Sequence, residues 1–135
     1  MGREYIHDER LFFYSKIPDC VTAQNPNVVL LSSVLQYVED PYAVLEELVQ
    51  SDIDIVLIDR TSFHDNAEDM ILVQQVGKNI YPASYPLWVF SKNKFINYLS
   101  HAFDIITHQV SPEGFVNYSN GVFSFDTFLL QRRKP

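Results

Sequence analysis

Apolar positions recur along this chain in two rhythms: continuous or alternating runs that suit strands, and steps of three or four residues that suit helices. Residues 2–10 are charged, with Tyr5 and Ile6 set among polar neighbours, and read as a helix remnant that exposes His7. LFFYSKI (residues 11–17) then turns aromatic and aliphatic and reads as a strand, stopped by Pro18-Asp19. NVVLLSS (27–33) is apolar, partly β-branched and without alternation, which is the pattern of a central parallel strand covered on both faces. Asp40-Pro41 supplies an N-cap and a first-turn proline. The helix they open runs to about residue 50, with Val44, Leu45, Leu48 and Val49 on one face and Glu46 and Glu47 on the other. DIVLID (54–59) is a second buried-type strand only a few residues on. Strand, helix, strand reads as a right-handed crossover unit, and the fold class is therefore α/β.

The stretch 60–86 is long and polar, broken by an extended run ILVQQV (71–76), Gly77, Pro82 and Pro86, and connections of this length usually serve as lids or insertions. Ser91 caps a short helix on which Phe95, Ile96, Leu99, Ala102 and Phe103 share a face. DIITHQV (104–110) and VFSFDTFLLQ (122–131) then read as an antiparallel pair ending the sheet. Alternation puts Phe123, Phe125, Thr127 and Leu129 on one side of the last strand and Ser124, Asp126 and Phe128 on the other.

Composition narrows the class. The chain has 135 residues, is 47% hydrophobic and carries a net charge of −7; a single domain of this size buries roughly two-thirds of its unfolded surface. Acidity counts against nucleic acid as a partner, because the one basic cluster is Arg132, Arg133 and Lys134 at the end of the chain. One cysteine, Cys20, excludes an internal disulfide framework and fits a reducing cytoplasm, where it reads as a small buried apolar residue. No apolar run approaches the roughly 18 residues of a membrane span, so no membrane association is expected.

Three segments carry a resemblance. VVLLSSVLQYVEDPYAVLEEL (28–48) resembles the middle of class I S-adenosylmethionine-dependent methyltransferases, where the fourth strand leads through a substrate-side loop into a helix. IVLIDRTSF (55–63) and IYPASYPLWVFSKNKF (80–95) are similar to a family of bacterial methyltransferases with an IDRT turn and a YPASYP segment; the opening GREYIHDERLFFYSKI and the C-terminal hairpin match it as well. The resemblance implies a Rossmann-like sheet with parallel central strands, a C-terminal antiparallel hairpin and helices on the faces. It also exposes a departure: the family's Gly-rich strand-to-helix turn is missing, since Gly2, Gly77, Gly114 and Gly121 all lie elsewhere. Residues 1–135 are thus expected to form one methyltransferase-like domain without its N-terminal cofactor-binding unit. The chain alone is then not expected to catalyse, and an interaction or dimerisation module of the same ancestry is the other reading. The family's first strand sits beside the fourth, so strand 27–33 would be left with an unpaired edge. Either LFFYSKI crosses to pair with it or two copies meet there as a homodimer.

Ligands of open α/β sheets sit outside the carboxyl ends of the strands. That selects Ser32, Ser33, Gln36 and Tyr37 after one strand and Asp59, Arg60 and Thr61 after the next. The resemblance makes Ser32, Ser33 and Gln36 the border of the cofactor's methionine end, Asp19 a partner of the adenine amine, Tyr37 a neighbour of the methyl-transfer centre, and the cofactor S-adenosylmethionine. The plainer reading is that Tyr37 packs, the serines cap a helix and Pro18-Asp19 is a turn. Methyl transfer to oxygen or nitrogen often needs a base, for which His64 and Asp65 are candidates; a solvated polar loop is the plainer reading, since no partner spacing fixes the imidazole. Asp59, His64, Asp65 and Asp69 form an alternative divalent-metal or hydrolase set, but they lack a helical His pair or a calcium-type loop, so no metal is expected. Tyr81, Tyr85 and Trp88 either line an acceptor pocket with Asp59, Arg60 and Thr61 or plug the end of the sheet as core. His101 and His108 are expected at a helix end and on a strand face.

Overall fold

The computed structural model describes residues 2–6 and 8–134. After a short helix α1 (Gly2–Tyr5), the elements follow as α2 (Ile17–Gln24), β1 (Val28–Ser32), a 3-10 turn (Leu35–Tyr37), α3 (Pro41–Val49), β2 (Ile55–His64), β3 (Met70–Gln75), β4 (Ser84–Ser91), α4 (Lys92–Leu99), β5 (Phe103–Tyr118) and β6 (Gly121–Arg132). The fold is α/β around one six-stranded mixed sheet in the order β3-β4-β2-β6-β5. β1 pairs in parallel with the first half of β2, from Val28 opposite Ile55 to Ser32 opposite Asp59, and β4 pairs in parallel with its end at Phe63 and His64. The other edge of β2 takes β6 antiparallel, and β5 follows as the second arm of a hairpin.

The helices form where the caps predict. The Asp40 carboxylate accepts the Ala43 N–H at 3.0 Å and opens α3, which buries Leu45 and Leu48; Ser91 likewise accepts the Lys94 N–H and opens α4, which buries Phe95 and Leu99. All four join Leu31, Val56, Ile58, Phe63, Phe128 and Leu130 in one core, and Ile17 and Val21 of α2 pack against its rim. Period-2 alternation along β6 is as expected, with Phe128 and Leu130 turned to the helices and Leu129 to the other face.

Five expectations need correction. LFFYSKI forms no strand and does not cross to β1; Ile17 starts α2, and Pro18 sits in that helix's first turn, where its missing N–H is no loss. β1 is not covered on both faces, because Val28 and Leu30 are 53% and 60% exposed. Core-forming helices pack on one face of the sheet, the face of Leu31 and Ile58, not on both. The stretch 60–86 is an ordered part of the sheet: β2 continues to His64, and β3 and β4 form an antiparallel hairpin from Met70 opposite Val89 to Gln75 opposite Ser84. Pro86 is tolerated inside β4 because β2 reaches that strand only at Phe90 and Ser91, leaving Pro86 a neighbour on one side. Phe103, expected on a helical face, instead begins β5.

Candidate functional site at the ends of the parallel strands

Parallel pairing brings Ser32, the last residue of β1, beside Asp59, midway along β2, and both segments then pass through left-handed backbone. Ser33 has φ 53° and Arg60 φ 48°. Arg60 is the extra residue of a bulge against β6, between Ile58 and Thr61. Neither residue is glycine, so each conformation costs roughly 1–2 kcal/mol, and bulges of this kind re-aim side chains beside functional sites. Here the bulge delivers Arg60 to Asp59 and Ser32.

Asp59 is the centre of the resulting cluster. The Ser32 hydroxyl donates to Oδ2 at 2.8 Å and the Thr127 hydroxyl to Oδ1 at 2.8 Å. Arg60 Nε lies 3.4 Å from Oδ2, its Nη2 donates to Ser32 Oγ at 3.2 Å, and Nη1 is 3.5 Å from Glu113. The Thr127 hydrogen bond holds the Asp59 carboxyl below its usual range, aided by Ser32 and Arg60 and opposed by desolvation. Asp59 is therefore an ionised acceptor of hydroxyl or cationic groups and a weak base. Thr61, expected beside it as a ligand contact, is fully buried.

The 3-10 turn places the next pair. Gln36 is buried and donates through Nε2 to the Arg60 carbonyl at 2.9 Å. Tyr37 is half-exposed, donates its hydroxyl to Gln74 Oε1 at 3.1 Å and meets Tyr85 edge to face with centroids 5.6 Å apart. Trp88 Nε1 donates to the Val38 carbonyl at 3.2 Å. Burial first, and the Tyr85 phenol second, raise the Tyr37 pKa, so Tyr37 stays protonated at neutral pH and is a donor and packing group, not a base. The β3–β4 hairpin thus carries Tyr85 and Trp88 to the turn and closes a cavity of about 320 Å³, lined by Gln36, Tyr37, Val38, Glu39, Ile71, Pro86 and Trp88.

Other expected residues lie apart. Tyr81 is exposed between β3 and β4. Asp19 is exposed in the first turn of α2; its neighbours Pro18, Val21 and Thr22 border Gln50, Ser51 and Asp52 just before β2 begins, away from the cluster around Asp59. His64 is buried, and its Nδ1 accepts the Asn66 N–H at 3.2 Å. That bond leaves the proton on Nε2, which has no partner, so the ring has no free lone pair to act as a base. Asp65 is exposed, 3.8 Å from Lys92. Asp69 accepts the Ser91 N–H at 2.8 Å, the Tyr42 hydroxyl at 3.0 Å and faces Lys94 at 3.0 Å, which ties the β2–β3 connection to α4. The four residues of the alternative metal set are thereby separated, and among the described residues no group of three or more His, Cys, Asp or Glu is placed to hold a metal ion. His101 is exposed just past α4, His108 stands on β5, Cys20 is half-buried on α2, and His7 lies outside the described residues.

One polar cluster had gone unremarked. Asp126 is fully buried on the helix-covered face, with His108 Nε2 at 2.6 Å, Lys92 Nζ at 3.0 Å and the Ser124 hydroxyl also bonded to it. His108 also stacks on Phe128 with centroids 4.2 Å apart. The signal was present in the alternation of VFSFDTF, which places a carboxylate on the same side as Phe128.

S-adenosylmethionine finds only part of its surroundings among these side chains. Ser32, Ser33 and Gln36 share one end of the sheet, but Asp19 does not join them. Gly2 lies in α1, Gly77 after β3, Gly114 within β5 and Gly121 at the start of β6, so none of the four glycines opens a strand-to-helix turn toward the cluster. Among the described residues no helix is long and apolar enough to cross a membrane. No family model, no curated protein and no solved structure matches the chain.

Proposed function

We propose that this chain is the substrate-side portion of a class I S-adenosylmethionine-dependent methyltransferase, a transferase domain that does not catalyse by itself and works in the cytoplasm. The observation that carries the reading is the one-sided sheet. β1 has a partner on one edge only among the described residues, and Val28 and Leu30 stand bare on the face away from the helices, beside the half-buried Ile55, Leu57 and Leu129. A sheet so built is completed by a further strand along β1 and helices over the open face, which is where the resembled family carries its cofactor-binding unit. Ser32, Ser33 and Gln36 then contribute to the cofactor's methionine side. Asp59, Arg60, Tyr37, Tyr85 and Trp88 face the acceptor.

The same bare edge favours a second reading, a non-catalytic module that dimerises through β1. Unpaired apolar edges are templates for a second copy, and no charged residue occurs in β1 to discourage one. Calorimetric titration of the chain with S-adenosylhomocysteine, at concentrations that reveal millimolar binding, separates the two. Saturable heat that disappears in Ser33→Trp, with unchanged far-ultraviolet circular dichroism, supports the transferase portion. Absence of heat together with a dimeric mass in light scattering supports the module and overturns the first reading.

A further inference from the structure

We infer that the cavity between the β3–β4 hairpin and the tip of the β5–β6 hairpin binds an uncharged, largely hydrocarbon small molecule that carries a hydroxyl or carbonyl group. β2 pairs with β4 only at Phe63 and His64, so the rest of the β3–β4 hairpin finds its packing elsewhere. It meets the end of the β5–β6 hairpin, where Leu87, Val89 and Phe123 form a small buried cluster with Leu72, Tyr118 and Phe125 packed against it. Over that floor the two hairpins enclose about 560 Å³, well inside the range of small-molecule sites. Strand register fixes which side chains face it. Leu72 stands opposite Leu87 and Val116 opposite Phe123, and alternate residues of a strand share a face. The side of the cavity is therefore that of Leu72, Leu87, Val116, Phe123 and Phe125, with Gln74 and Tyr118 as the polar side chains among them.

The absence of charge selects the ligand. No Asp, Glu, Lys, Arg or His lines the cavity. An ion drawn into it would give up water without meeting a counter-charge, a cost that hydrocarbon contact does not return. An anion is opposed further by the net charge of −7. A pure hydrocarbon would match the floor but strip water from the two polar side chains. The Gln74 oxygen already accepts the Tyr37 hydroxyl, which leaves the amide its N–H groups to donate, and the Tyr118 hydroxyl has no hydrogen-bond partner among the described residues. A neutral hydroxyl or carbonyl accepts from either. Alternation along β6 puts Phe123 and Phe125 on the face of Thr127, which holds Asp59, so the cavity and the Asp59 cluster share one face of the sheet. That the ligand is the methyl acceptor rests on the methyltransferase reading; that the cavity binds it does not.

The full chain, with isotope-labelled leucine and valine methyl groups, is titrated by nuclear magnetic resonance at neutral pH and fixed ionic strength with naphthalenemethanol, naphthoate and naphthalenemethylammonium, without cofactor. Naphthalenemethanol is expected to shift the methyl groups of Leu72, Leu87 and Val116 saturably, with each ion bound at least roughly tenfold more weakly. Val116→Trp fills the cavity from an exposed strand position and, with unchanged far-ultraviolet circular dichroism, should abolish the shifts at Leu72 and Leu87. Gln74→Glu, which places a carboxylate in the lining, should strengthen the ammonium relative to the alcohol by roughly threefold. Equal affinity for the three probes, no saturation with any of them, shifts confined to other methyl groups, or indifference to Val116→Trp would overturn the inference. So would a dimeric mass in light scattering that Val116→Trp reduces to the monomer, since a second copy is then the occupant. If Val116→Trp fails to fold, the probe ranking and the map of shifts on the parent chain decide alone. Because S-adenosylhomocysteine is absent, failure of the cofactor titration leaves this result standing, and the reverse also holds.

Discussion

Asp59 and Asp126 show how differently two carboxylates on neighbouring strands can be held. Asp59 sits at the bulge midway along β2, partly solvated, with two hydroxyl donors and a guanidinium, and its carboxyl is held below the usual range. Since its native value lies below the unfolded value of about 3.9, the unfolded chain binds more protons in acid. The stability Asp59 adds is complete above about pH 4 and is lost as pH falls through its lowered native value. Asp59→Asn should therefore flatten the acid limb of urea-denaturation midpoints below about pH 4 relative to the parent chain. Asp126 is instead wholly buried, with Lys92, His108 and Ser124 converging on it. Removing it leaves a largely buried ammonium and an imidazole without their common partner, so Asp126→Ala is expected to lower stability by about 3–5 kcal/mol, read from the urea midpoint and slope. Neither role was evident from residue type. Asp59 was legible as a site residue from its place at a strand end, whereas the value of Asp126 depends on β5 and α4 arriving from elsewhere in the chain.

At the scale of elements, local signals succeeded where a cap and a periodic face agree and failed where partners decide. Asp40-Pro41 and Ser91 each mark a helix start, and the apolar residues that follow at helical spacing are the ones buried. LFFYSKI is apolar enough for a strand but finds no neighbour to hydrogen-bond, and a short apolar run does not by itself distinguish strand from other structure. β4 was hidden for the converse reason: its prolines and aromatics read as a lid, while β3 lies close enough in sequence to pair with it as a hairpin. β1 offers the sharpest test at this level. Leu30 packs little within the chain, so Leu30→Lys should change the monomer's stability by no more than about 0.5 kcal/mol. If copies meet through this edge, the same substitution should convert a species of twice 15.7 kDa to the single mass in light scattering. A dimeric mass that survives the substitution places the contact elsewhere.

Across the whole molecule, the core-forming helices, the larger core and the buried Asp126 cluster belong to one face of the sheet, while a smaller buried cluster of Leu87, Val89 and Phe123 lies on the other. The other face carries a run of apolar residues from β1 through β2 to β6 that no core-forming helix covers. Contiguous apolar surface of this kind marks a surface that meets another partner. A net charge of −7 opposes indiscriminate association through Coulomb repulsion, but none of that charge lies on β1 itself.

The order of strand, capped helix and strand, the final hairpin and the alternation that sorts its two faces were determined by the sequence itself, because each depends on periodicity, caps and turns within a few residues. The placement of Ser32 beside Asp59 was legible too, since a parallel crossover sets the two apolar runs in register, although β2 runs on past Asp59 to His64. Only the tertiary structure decided that helices cover one face, that residues 60–86 join the sheet, that His64 is buried with its lone pair spent while Tyr81 and Asp19 stand apart, and that Gln36 keeps an unmet acceptor. Each of these depends on which distant groups arrive as partners, and pairing over long separations is not written in the local pattern of any one segment.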